Sequence, residues 1–133
     1  MKYIPVAVLG GSGYVAGELL RLLLLHPRFQ VAAVVSSSQS SDPVTAVFPH
    51  LAGTAADGLR FEPFELFTRG LAPGRPCGVF AAEKRRGKIH LPLIAVITDF
   101  AIHSYWVHPE VDLYCVASEE ARRYLIHRGI SAD

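Results

Sequence analysis

Hydrophobic and polar positions along the chain mark out a repeating alternation of strands and helices. Residues 3–9, YIPVAVL, form a short apolar run that ends in glycines, the pattern of a buried parallel strand. Residues 14–25 are apolar on most faces, with Glu18 and Arg21 as a narrow polar edge, and Pro27 stops this helix because it has no backbone N–H to donate. QVAAVV, 30–35, is again apolar and β-branched, so a βαβ unit fills the first 35 or so residues. A polar loop, SSSQSSD, follows.

The pattern then weakens. PVTAVFPHL predicts one helical turn before Pro49, and LRFEPF a short strand. Residues 70–78, GLAPGRPCG, read as a connection and as the place for an internal boundary. Beyond it GVFAAEKRRGK predicts a helix ending at Gly87, with its basic residues in the last turn. Strands are predicted at 93–98 and 112–117. The last helix is 118–128, with Ser118 as its cap, Glu119 and Glu120 opposing the dipole and Gly129 as its stop. The expected fold class is α/β: a single three-layer Rossmann-like domain over residues 1–133, with a mostly parallel sheet of four or five strands.

Composition changes this picture little. A formal charge of +1 gives no global attraction to nucleic acid, and no nucleic-acid partner is expected. The two cysteines, Cys77 and Cys115, form no CxxC pair, which points away from a disulfide framework or a zinc site and toward a reducing, cytoplasmic setting. Cys115 alternates with apolar neighbours and is expected to be a small buried side chain. His26, His50, His90 and His127 show no metal-ligand spacing, and no metal is expected. The longest apolar run, LLLL at 22–25, is far short of the roughly 20 residues that span a bilayer.

The chemistry lies in the first turn. Gly10, Gly13 and Ala16 give a G-x-x-G-x-x-A spacing between strand and helix. One glycine serves the tight turn, the second lets the backbone approach a pyrophosphate, and a small third residue allows close helix–strand packing. Backbone N–H groups at the helix start, with Tyr14 and Val15 among the candidates, would hold the phosphate. The alternative is a tight turn with no ligand. An NAD site usually carries a carboxylate at the end of the second strand. Ser36, Ser37 and Ser38 stand there instead, which favours NADP over NAD, although no arginine lies nearby in sequence to clamp a 2′-phosphate. An ordinary solvated loop would look much the same.

VAVLGGSGYVAGELLRLLLLHP, VAAVVSSSQS and VFPHLAG resemble the opening of N-acetyl-gamma-glutamyl-phosphate reductases and of their lysine-biosynthesis relatives, from about residue 4 to residue 67. The resemblance implies NADP-dependent reduction of an acyl phosphate. It places Gly10, Gly11, Ser12 and Gly13 around the cofactor phosphates and Ser36 to Ser38 near the adenosine ribose. The family's Gly-Cys motif and second-domain histidine are not matched, and Cys77 takes no catalytic role from it. From about Lys84 to residue 131 the chain is similar instead to the N-terminal domain of monogalactosyldiacylglycerol synthases and processive diacylglycerol glucosyltransferases. TDFAIHSYWVHP and ASEEARRYLIHRGI carry that similarity.

Asp99 and His103, at the end of the 93–98 strand, are weak candidates for proton transfer, with a loop-stabilising hydrogen bond as the alternative. His108 and Trp106 read as structural. KRRGK, 84–88, reads mainly as a solvated helix end, with phosphate or anionic lipid as the less favoured ligand.

The leading expectation is a chimeric or engineered Rossmann-like domain, its halves meeting at 70–78. It would bind NADP(H) or another phosphate-bearing small molecule weakly and lack a complete active site. A natural gene fusion or truncation is the competing origin. A small acyl-phosphate reductase or reductase subunit, and a glycolipid or membrane-surface module, are the competing functions. A homodimer is one way to cover an exposed sheet edge.

Overall fold

A computed structural model describes residues 3–63, 76–98 and 102–132. The chain divides into two compact units, Met1–Arg69 and Gly70–Asp133.

In the first unit β1 (Ile4–Leu9), α1 (Tyr14–Leu24) and β2 (Phe29–Ser36) form the βαβ unit that the periodicity predicts. A short α2 (Val44–Val47), two 3-10 turns and β3 (Phe61–Pro63) follow among the described residues. The strands pair in parallel in the order β1-β2-β3, with a register shift between Val6 and Ala7. Leu20 of α1 packs with Val34, Val44, Leu51, Ala56 and Phe61 into a buried cluster. Each large member of that cluster contributes about 1.5–3 kcal/mol by leaving water. α1 closes with Leu25 as its C-cap. His26 Nδ1 then accepts the N–H groups of Arg28 and Phe29, both at 3.2 Å, and its ring stacks on Phe29. The chain so turns through Pro27 into β2.

The second unit holds α3 (Pro76–Arg85), β4 (Ile94–Ile97), a 3-10 turn at Ser104–Trp106, β5 (Leu113–Val116) and α4 (Glu119–His127). α3 starts two residues before the expected Gly78, because a proline suits the first helical position, where its missing N–H costs nothing. Ser118 Oγ accepts the Ala121 N–H at 3.1 Å, and Gly87 and Gly129 take positive φ just past their helices, as the sequence predicts. β4 and β5 pair in parallel, and Ile97, Ile102, Ala121 and Leu125 form the core between sheet and helix.

The α/β class and the parallel pairing of the strands are thus as expected. Among the described residues the strands pair as a three-stranded sheet in the first unit and a two-stranded sheet in the second. Each sheet has a hydrophobic cluster drawn from its own half of the sequence. The apolar runs therefore find partners within their own half.

Cys115 corrects one expectation, for it is exposed. It pairs across the ladder with Val96, as Leu113 does with Ile94, and all four side chains lie open to solvent. A parallel strand is usually buried on both faces, which is why its apolar setting predicts a buried Cys115. In β4–β5, α4 packs against the face of Ile97 and Val116, and Cys115 points away from it.

Candidate functional site

The glycine loop sits where β1 gives way to α1. Gly10 takes φ +79°, a conformation that favours glycine, and turns the chain sharply at the strand end. The N–H groups of Gly10 and Gly11 both donate to the Val35 carbonyl, at 3.0 and 2.7 Å. This bifurcated contact ties the loop to β2. It also commits two backbone donors that the resemblance places around cofactor phosphates.

Gly11 is a packing position. A Cβ there would lie 2.4 Å from Val34 Cγ1 and 3.3 Å from the Val35 carbonyl oxygen. Gly13 differs: it is the N-cap of α1, in extended conformation, and a Cβ there would meet nothing within 4 Å. Ala16 is buried, as close helix–strand packing requires. Gly17, which the spacing argument passes over, is as important, because a Cβ there would come 2.8 Å from the Phe48 ring. The signal was available: a glycine inside a leucine-rich helix costs about 1 kcal/mol relative to alanine and calls for a packing reason.

Three features suit the start of α1 to an anion. No side chain caps it, its first turn carries no acid, and the first donors turned back into the helix are those of Ala16 and Gly17, onto the Gly13 carbonyl. The N–H groups ahead of them, of Gly13, Tyr14 and Val15, belong to the first turn, where an α-helix supplies no intrahelical acceptor. Gly13, Tyr14 and Val15 are all exposed.

Beside this turn stand the serines. Ser36 is buried and donates to Ser12 Oγ at 3.0 Å, and Ser12 Oγ lies 3.2 Å from Ser38 Oγ. The loop after β2 is thereby joined to the glycine loop, a contact between residues 24 positions apart that no motif announces. Ser37 is exposed. A nicotinamide dinucleotide suits this donor set: backbone N–H groups for its pyrophosphate and hydroxyls, with no carboxylate, for its ribose end.

In the second unit Asp99 lies outside the described residues. His103 is exposed, stacks on Tyr105 with ring centroids 3.9 Å apart and has Ser104 Oγ at 3.5 Å from its Nδ1. His108 and Trp106 are held in place structurally. Tyr114 Oη donates toward the carbonyls of Trp106 and His108 and accepts the His108 N–H, so one phenol fixes the whole turn. Burial pushes the Tyr114 and Cys77 groups up from their ordinary values.

The basic run 84–88 is neutralised within its own unit. Lys84 pairs with Asp112, Arg85 with Glu110, and Arg86 and Lys88 both with Glu83. Hydrogen bonding to Lys88, then to Arg86, holds the Glu83 carboxyl below its ordinary range despite burial. Arg85 does the same for Glu110, while the Leu93 N–H and then Lys84 lower Asp112. Carboxyls with lowered folded values stabilise the fold fully above about pH 5, and that contribution is lost as pH falls through the folded values. NMR resonances of 83–112 are therefore expected to lose dispersion on acidification from pH 5 to about pH 3. Asp112→Asn should narrow that acid dependence, and an unchanged acid profile would count against the pairing.

Sequence comparisons agree with this division. Residues 5–67 match the NAD-binding domain of semialdehyde dehydrogenase, and residues 77–133 match monogalactosyldiacylglycerol (MGDG) synthase. The two matches cover separate stretches of the chain. A Thermomicrobium roseum protein assigned as a LysW-L-2-aminoadipate 6-phosphate reductase is 35% identical over 128 residues, covering 86% of this chain and 35% of the relative. The N-acetyl-gamma-glutamyl-phosphate reductase of Methanothrix thermoacetophila is 49% identical over 59 residues, 44% of this chain and 17% of that enzyme. A Sulfurisphaera tokodaii reductase acting on LysW-L-2-aminoadipate and LysW-L-glutamate phosphates is 52% identical over 50 residues, 38% of this chain and 14% of its own. The chain thus spans about a third of the first relative and less of the other two. Both expected resemblances are met, with almost the expected boundaries. Among the described residues no helix is long and apolar enough to cross a membrane.

Proposed function

We propose that the first unit is a dinucleotide-binding module of the reductase type, binding NADP(H) in preference to NAD(H) through the glycine loop and the serines at the end of β2. The observation that carries this reading is the open backbone at Gly13, at the uncapped and acid-free start of an 11-residue helix. The match of residues 5–67 to an NAD-binding domain supports the cofactor class. The preference for the 2′-phosphate rests on the run Ser36–Ser38, which brings hydroxyls to the end of β2 where a carboxylate would repel a phosphate.

The second unit serves in this reading as an α/β scaffold. The pairing of all four basic side chains of 84–88 with neighbouring carboxylates supports that over an anionic-membrane role. Reduction of an acyl phosphate is the second reading, favoured by the identity that runs over 86% of the chain in the aminoadipate-phosphate reductase.

Calorimetric titration with NADPH and NADH tests the proposal. Saturable binding, tighter for NADPH, is expected. Binding of neither by the folded protein would reduce the glycine loop to a turn. NADPH oxidation on adding an acyl phosphate would favour the second reading.

A further inference from the structure

Of the serines at the end of β2, Ser36 is the one whose hydroxyl is already saturated. It is 2% exposed, and its backbone is held in the β2–β3 ladder opposite Pro63. A serine hydroxyl has one proton to give and two lone pairs to fill. Ser36 Oγ gives its proton to Ser12 Oγ at 3.0 Å and accepts the N–H groups of Ser38 and Gln39, at 3.2 and 3.1 Å. It reaches both the phosphate loop and the loop that follows β2, and it has no bond left for a ligand.

Ser12 and Ser38 are in the opposite position. Ser38 is exposed and Ser12 half-buried; their oxygens lie 3.2 Å apart, and Ser38 Oγ is also 3.3 Å from Ser36 Oγ, whose proton and lone pairs are already committed. Only one proton can occupy the Ser12–Ser38 contact, so the bond between them is readily exchanged for bonds to a ligand. Two O–H groups side by side suit an acceptor with several oxygens on one centre, such as a phosphate. A ribose hydroxyl, with one oxygen, engages them less fully.

We propose that Ser36 is a positioning residue, which locks the glycine loop and the β2 exit into one body, and that Ser12 and Ser38 are the hydroxyls that discriminate a 2′-phosphate. This rests on the dinucleotide reading above and adds which serines touch the ligand and which one only holds them.

The test is the ratio of NADPH to NADH affinity in the whole chain, measured for wild type, Ser36→Ala, Ser12→Ala and Ser38→Ala. A merely structural serine would change both affinities together and leave the ratio alone. Ser36→Ala is expected to weaken NADPH roughly fivefold to tenfold and NADH less than about twofold, the scale of one or two lost hydrogen bonds. Ser12→Ala should act in the same direction, and the double variant Ser12→Ala/Ser36→Ala should be no worse than the poorer single one. Should Ser36→Ala fail to fold, the exposed-side variants decide, since loss of either Ser12 or Ser38 must lower the ratio.

An unchanged ratio in those variants overturns the proposal while leaving dinucleotide binding in place. So does a wild type that binds both nucleotides equally. A wild type that binds neither overturns the dinucleotide reading, and the positioning role with it.

Discussion

Gly11→Ala lowers the melting temperature by on the order of 10 °C, while Gly13→Ala, two residues away, moves it by only a degree or two. The first change puts a methyl 2.4 Å from Val34 Cγ1, well inside contact distance. Val34 cannot step aside, since it is fully buried, β-branched and part of the first hydrophobic cluster. Behind it lies the Val35 carbonyl, fixed by the N–H groups of Gly10 and Gly11. Relief must therefore come from moving the loop off β2, which breaks those two bonds. Overpacking of this kind costs about 1–3 kcal/mol, and each kcal/mol is worth a few degrees in a domain of this size. Gly13 has open space around its Cβ position and a negative φ, so alanine fits there, and the lower entropy of the unfolded chain offsets the poorer N-cap to within a few tenths of a kcal/mol. Thermal unfolding of the two variants measures the difference. Equal melting temperatures would mean that the loop does not approach β2 as closely as the geometry requires.

The same two glycines show how much was legible in the sequence. Strand–turn–helix context and the spacing of Gly10, Gly13 and Ala16 are local properties, and the elements they predict form where expected. The role of Gly11 is not local, because it depends on which β2 side chain faces the loop. That is set by a register including the shift between Val6 and Ala7. The Ser12–Ser36–Ser38 contact depends on the same long-range pairing. Cys115 illustrates the converse failure. Apolar alternation fixes which residues share a face, but only the packing partner decides which face is covered, and α4 took the other one. Caps and stops stayed legible because Ser118, Gly87 and Gly129 act within a few residues of themselves.

Gly13→Val separates the loop as a turn from the loop as a ligand site. At Gly13 φ is −80° and ψ 162°, a region that β-branched residues prefer, and nothing lies within 4 Å of the Cβ position. The fold should therefore tolerate valine, with a stability loss of no more than about 1 kcal/mol from the poorer N-cap. The added side chain stands at the N-cap, beside the first-turn N–H groups to which the proposed phosphate would bind. Charge-assisted hydrogen bonds of that kind are worth about 1.5–3 kcal/mol each, so excluding a phosphate from even one of them should weaken NADPH by at least on the order of tenfold. NADH should weaken equally, because the shared pyrophosphate is what valine displaces. That equal loss is what distinguishes this change from the serine variants, which are expected to shift the ratio by acting on the proposed 2′-phosphate contact. Calorimetry on the folded variant, checked by its melting temperature, reads both quantities. Undiminished NADPH binding by a folded Gly13→Val protein would place the nucleotide somewhere other than this turn. Selective loss of NADPH alone would move the 2′-phosphate from the serines to the helix start.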